Sequence, residues 1–208
     1  SEFEKALALQ PESPAVLLAQ ASFLMRQEQI DSAAQNVNTV LANEPENLSA
    51  IAMLFMVQRE QGDVSDVLSR TEALLEQSST NEVVRILLAR MYATEQNNDR
   101  ALELLSRITP DRQTPRDFWV LKGSTLLQAN LFNDAESHYQ QWIELYPYDK
   151  DAALGKLLML DLNGNAQDAL DIIERFLEKR DDSQIRLLQA HFYSLTGNVA
   201  KSREVLSI

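Results

Sequence analysis

The chain has 208 residues, 31 acidic against 19 basic, and a formal charge of −12. That balance argues against nucleic acid as a partner, because binding it needs a basic stripe that displaces counterions, and equally against an anionic membrane surface. With no cysteine there are no disulfides or thiolate metal sites, and no apolar run approaches the ~20 residues that span a bilayer.

Five glycines, six prolines and the lack of an alternating apolar–polar run predict an all-α chain. The helical pattern recurs with a fixed period: Ala33, Val67, Ala101, Ala135 and Ala169 stand 34 residues apart, and so do Pro11 and Pro45. Such a period describes a stack of one small unit, each copy resting on its neighbours.

In chain order, residues 1–13 read as the tail of an earlier repeat ending near Pro11, and a start inside a helix is expected of a segment of a longer repeat protein. Repeat 14–47 carries Ala21, Leu24, Ala33 and Val40 and is punctuated by Pro45. Repeat 48–81 carries Phe55, Gln58, Val67 and Leu74, with Gly62-Asp63 predicted to turn the chain between its two helices. Repeat 82–115 carries Ala89, Tyr92, Ala101 and Ile108. Its turn, Asn97-Asn98-Asp99, does without glycine, and its last stretch, TPDRQTPR, cannot continue a helix. Repeat 116–149 carries Trp119, Gly123, Leu126, Ala135, Tyr139 and Trp142, turns at 130–134, and ends at Pro147. Repeat 150–182 carries Leu157, Leu160, Ala169 and Phe176 about a Gly164-Asn165 turn, and a truncated repeat, 183–208, carries Ala190, Tyr193 and Gly197-Asn198.

Small residues at the eighth and twentieth positions of a repeat let two antiparallel helices approach, and large apolar residues three or four apart fill the space around that contact. Glycine ends the first helix in a left-handed conformation, and the Asp or Asn behind it caps the second. The period survives across residues 109–116 (Ala101 to Ala135), so one continuous array over 1–208 is expected, with 109–116 as a long loop and the place for any hinge.

Trp119, Gly123, Ala135, Tyr139 and Pro147 spell W…G…A…Y…P, and Ala89, Tyr92 and Ala101 repeat part of it. The pattern resembles the tetratricopeptide repeat, over essentially the whole chain. Arg85 and Arg186 stand where that family prefers Trp, and Val67 where it prefers Ala. The resemblance implies a right-handed superhelical solenoid of antiparallel helix pairs. It implies further that the first helix of each repeat lines a concave groove through its positions 2, 5, 9, 12 and 13. Carried over, these give Leu18, Ser22, Met25 and Arg26 in the first full repeat, then Ala52, Met56 and Arg59, and then Ile86, Arg90 and Ala93. The last three repeats give Val120, Ser124 and Leu127, then Leu154 and Leu158, and finally Leu187 and His191.

That lining is mostly apolar, with three arginines in its N-terminal part. A peptide or amphipathic helix laid there would bury it, and the arginines could pair with partner carboxylates or, alternatively, bridge to acids on adjacent helices. Chaperone-binding members of the family clamp a C-terminal carboxylate with Lys and Asn on these helices. Here Leu18, Ala52, Ile86 and Val120 at position 5, with Ser22, Met56 and Arg90 at position 9, provide no such clamp. The texture of the repeats is similar to that of long bacterial repeat proteins associated with exopolysaccharide export and exosortase systems.

No catalytic constellation is legible. His138 and His191, the only histidines, are too far apart in sequence for the i, i+4 pair of a zinc site; His138 is expected on a helix surface and His191 in the groove. Asp181-Asp182 and Glu44 with Glu46 fall at helix ends, where carboxylates cap or favour helix N-termini. The expectation is a non-catalytic scaffold, without cofactor or metal, that binds a partner peptide or helix in its groove. Two alternatives stand beside it: self-association through open ends at Phe3 and Leu206, giving a homodimer, and an accessory domain fused to an enzyme outside this segment. The compartment stays open between bacterial cytoplasm and periplasm.

Overall fold

The computed structural model describes residues 13–78 and 80–207. The partial repeat expected over 1–13, Phe3 included, lies outside them but for Ser13. The described residues form twelve α-helices and no strand. They are α1 (Pro14–Arg26), α2 (Ile30–Asn43), α3 (Leu48–Gln61), α4 (Ser65–Gln77), α5 (Glu82–Thr94), α6 (Asn98–Ser106), α7 (Arg116–Gln128), α8 (Phe132–Leu145), α9 (Lys150–Leu162), α10 (Ala166–Leu177), α11 (Ser183–Leu195) and α12 (Val199–Leu206). Contacts divide the chain into two compact halves, one ending at Ile108 and the other starting at Thr109, where the proline-bearing stretch begins. Each half holds three helical hairpins.

The hairpins repeat one turn chemistry. A residue with positive φ stands at Glu28, Gly62, Gln96, Asn130, Gly164 and Gly197, once per hairpin. The residue after it donates its N–H back to the carbonyl five positions earlier: Gln29 to Leu24 at 2.9 Å, Asp63 to Gln58 at 3.1 Å, Asn97 to Tyr92 at 2.9 Å, and Asn198 to Tyr193 at 2.8 Å. This is the Schellman ending, and it satisfies a carbonyl the helix would otherwise leave bare. Glycine enters the left-handed region without steric penalty, whereas Glu28 and Gln96 enter it against their Cβ. The sequence places the turns correctly, but in the 82–115 repeat the left-handed residue is Gln96, one position before the asparagines. Asn97 instead caps α6 by accepting from the Arg100 N–H at 3.2 Å.

Caps also start the first helices. Ser13, Asn47, Asn81, Asp149 and Asp182 accept from backbone N–H groups in the first turns of α1, α3, α5, α9 and α11. Within the hairpins, Ala33, Val67, Ala101, Ala135 and Ala169 are wholly buried, as small residues at a close helix crossing must be. Gln58 breaks the apolar pattern for a visible reason. Val64, the residue before α4, offers no side-chain cap, and the Gln58 side-chain oxygen accepts from the Val67 N–H at 3.1 Å in its place. Residues 109–116 are folded on themselves: the Asp111 carboxylate accepts from the Gln113 and Thr114 N–H groups at 2.7 and 3.0 Å, and the Tyr146 hydroxyl donates to the Arg112 carbonyl at 2.8 Å.

The repeat 116–149 forms an aromatic layer of Phe118, Trp119, His138, Tyr139 and Trp142. His138 is not on a helix surface as expected. It is 4% exposed, and its Nε2 donates to the Trp119 carbonyl at 2.9 Å. Burial pushes its pKa down from 6.5 to about 4, against the raising effect of that carbonyl, and the nearby Lys122 charge adds to the depression. The histidine is therefore neutral and serves as core.

Tyr139 explains two glycines. A Cβ on Gly123 would sit 2.7 Å from the Tyr139 hydroxyl oxygen, and one on Gly155 would overlap the ring itself. Tyr139 lies between α7 and α9, against the bare backbone of both.

Candidate partner-binding faces

In the C-terminal half the first helices of the hairpins, α7, α9 and α11, are tied side by side. Arg116 at the start of α7 reaches Asp149 at 3.3 Å and also pairs with Asp151 of α9. Lys150 of α9 meets Asp182, the cap of α11, at 2.8 Å. Further along, His191 Nε2 of α11 lies 3.0 Å from the Asp161 carboxylate of α9. These pairs are partly or fully exposed and each contributes little to stability. Their value is geometric, since they show which faces of α9 and α11 lie next to each other.

The exposed surfaces of α9 and α11 carry leucine. Leu158 is 43% exposed, Leu162 60%, Leu187 60% and Leu195 56%, with Val120 of α7 at 40%. Leu158 and Leu162 are the telling ones, because α9 packs on α8 and α10 and they remain open. Leu154, Leu158 and Leu162 stand at i, i+4 and i+8 on α9, and Leu187, His191 and Leu195 do so on α11. Four-residue steps keep each set on one helix face. Ser124 is exposed and Leu127 half-buried. Leu162, Leu195 and Asp161 are not among the residues expected from the sequence, although positions 12 and 13 of the repeat point to them.

The N-terminal half presents a different inner face. Arg26, Met56, Arg59 and Arg90 are exposed, and Ser22 is half-buried. Leu18 and Met25 pack against the core cluster built on Leu17, Ala21, Ala50 and Ile51. Ile86, expected to line the groove, is 5% exposed and belongs to the core instead. Its neighbour Arg85, at the position the family gives to Trp, is buried too, so both side chains are turned away from water. Arg59 is engaged by its own chain: its Nε donates to Glu95 at 3.1 Å. Of the two roles open to the arginines, this one bridges to an adjacent helix end.

Among the described residues no group of three or more His, Asp or Glu side chains is placed to hold a metal ion, and no helix is long and apolar enough to cross a membrane. Asp182 caps α11 through the Gln184 and Ile185 N–H groups, and its carboxyl is held below the usual range, chiefly by its hydrogen bond to Lys150.

Comparison with known proteins agrees with this architecture. No curated protein matches the sequence. Among solved structures, Pseudomonas aeruginosa PilF is 14% identical, with 94% of this chain and 90% of that one covered at a TM-score of 0.65. PilW, described as a type IV pilus biogenesis factor, is 15% identical over 92% and 90% of the two chains at 0.62. A tetratricopeptide repeat protein from Parabacteroides merdae is 18% identical over 93% and 77% at 0.59. At such identities the likeness establishes the fold alone. Two family models, each described as tetratricopeptide repeat, match residues 58–124 and 120–185, together more than half the chain. The chain belongs to the tetratricopeptide-repeat family.

Proposed function

We propose that this chain is a non-catalytic scaffold that holds a segment of another protein against the inner faces of its first helices. The observation that carries the reading is Leu158 and Leu162, two large apolar side chains open to solvent on a helix already packed against α8 and α10. Leaving them uncovered forgoes the stabilisation of burying apolar surface, about 25 cal/mol per Å², and contiguous exposed apolar patches mark interaction sites. Tetratricopeptide-repeat folds serve generally as protein–protein interaction scaffolds. The bacterial texture of the repeats supports a setting within a larger assembly of the exopolysaccharide-export kind.

The test is a comparative capture from the native lysate with the wild-type chain and a Leu158→Ser/Leu187→Ser variant. Proteins retained by the wild type and lost by an equally stable variant support the proposal. An identical set of proteins on both baits defeats it. Self-association is favoured by one separate observation, the exposure of Val199 and Leu206 on α12, a helix with no buried residue. Sedimentation of the wild type and a Leu206→Lys variant over a range of concentrations distinguishes the two readings.

A further inference from the structure

We infer that the segment held by the trough between α9 and α11 is an amphipathic helix with a basic flank, rather than an extended strand or an acidic helix. The inference rests on the scaffold reading above and names the chemistry of its partner.

The first argument concerns the partner's backbone. The two helices offer Leu158, Leu162, Leu187 and Leu195 to solvent, with Asp161 and His191 paired among them. An extended segment would bring an unpaired N–H and C=O with every residue into that apolar strip, and buried backbone groups must find partners. A helix satisfies its own backbone and offers side chains alone. The leucines step by four residues along α9, ~6 Å per step, close to the ~5.4 Å pitch at which a docked helix presents its own apolar stripe, and His191 takes the middle step between Leu187 and Leu195 on α11.

Charge complementarity supplies the second argument. Asp161 stands within the trough and its partner is a histidine, which neutralises it only when protonated. At the N-terminal ends of the same helices, Arg116 must answer both Asp149 and Asp151. Lys150 is already taken by Asp182, and Arg186 by Asp181. The open leucines are thus bordered by a surplus of carboxylate. Lysine or arginine beside the partner's apolar stripe would relieve that surplus, while acidic residues would meet like charge.

Two synthetic peptides of about five helical turns, ~18 residues, provide the probes. Both carry the same leucine stripe, one with lysine at the remaining positions and one with glutamate. Binding to the whole chain is read by fluorescence anisotropy at near-physiological salt. The leucine–lysine peptide is expected to bind at least about tenfold tighter than its glutamate counterpart. Leu158→Ser/Leu187→Ser should weaken it by about tenfold or more, and Asp161→Asn by about threefold. Leu162→Ser, with a melt recorded beside each variant, provides a second lesion should the double variant unfold.

If both peptides bind equally and both are lost in the leucine variants, the scaffold reading stands and the basic-partner inference falls. If the leucine variants bind either peptide as the wild type does, the trough is not the site and both fall. Binding of neither peptide overturns the helical partner. A dimer of the wild-type chain that dissociates in the leucine variants makes a second copy the occupant and overturns it as well.

Discussion

The two halves run the same repeat register and present different inner faces. At position 5 the N-terminal half has Ile86 in its core, whereas the C-terminal half has Val120 and Leu187 in solvent. At position 9 Arg90 and Met56 correspond to Ser124, Leu158 and His191. The difference teaches that repeat position alone does not decide whether a side chain faces a partner. The size of what lies behind it decides as well. In the C-terminal half, Trp119, Trp142 and Tyr139 fill the interior. In the N-terminal half Arg85 stands where Trp119 stands one repeat later, and Ile86 is part of the packed interior.

The comparison can be broken most sharply by truncating one buried and one open residue among those expected to line the groove. Ile86→Ala should cost about 3 kcal/mol, because it removes buried methyl groups and leaves a cavity. Leu158→Ala, at an open position, should change stability by no more than about 0.5 kcal/mol. Urea unfolding followed by circular dichroism measures both. Equal losses would mean that Leu158 is packed and the trough closed.

A second contrast is acid sensitivity, because both histidines lie in the C-terminal half. His138 has a folded pKa of about 4 against 6.5 unperturbed. The unfolded chain therefore takes up the proton first as pH falls. The stabilisation from keeping His138 neutral is complete above pH 6.5 and is lost as pH drops toward 4, about 3 kcal/mol in all. Trp119 and Trp142, the only tryptophans, make fluorescence a probe of this half alone. Denaturation midpoints read by fluorescence should fall through that window, and His138→Leu should flatten the fall whatever it does at neutral pH.

Much of the fold was legible because a repeat announces itself. The wholly buried small residues at position 20 and the six turns sit where the period puts them. The faces were less legible. His138 looks like any polar residue on a helix, and only the three-dimensional meeting of α7 with α8 turns it into core beside Trp119. Ile86 and Leu187 are apolar residues at the same repeat position, and nothing local separates the buried one from the open one. Asp161 acquires interest only through His191, 30 residues away. Charge pairs between repeats, such as Arg59 with Glu95, depend likewise on how neighbouring helix ends meet.

Gly155 sharpens the contrast at smaller amplitude. Its added methyl would overlap the buried Tyr139 ring. Gly155→Ala should cost about 1–3 kcal/mol through overpacking, and a Gly155→Ala/Tyr139→Leu double variant should recover part of it. If the single substitution is silent in a thermal melt, Tyr139 is not the wedge between α7 and α9.

The smallest effect belongs to the turns, where the halves differ in how they reach positive φ. The C-terminal half uses Asn130, Gly164 and Gly197, residues that tolerate the left-handed region; the N-terminal half uses Glu28 and Gln96 beside Gly62. A non-glycine residue there is strained by its Cβ, while glycine loses more backbone freedom on folding, so the two terms partly cancel. Gln96→Gly and Glu28→Gly should each stabilise by about 0.5 kcal/mol, and Gly164→Ala should destabilise by about 1 kcal/mol. A Cβ at Gly164 would meet nothing within 4 Å, so any loss there reports backbone strain alone. If Gly164→Ala is neutral while Gln96→Gly is destabilising, the Schellman bonds are being held by something other than the left-handed residue. The Asn165 N–H, 2.8 Å from the Leu160 carbonyl, is the group whose hydrogen-exchange protection would show it.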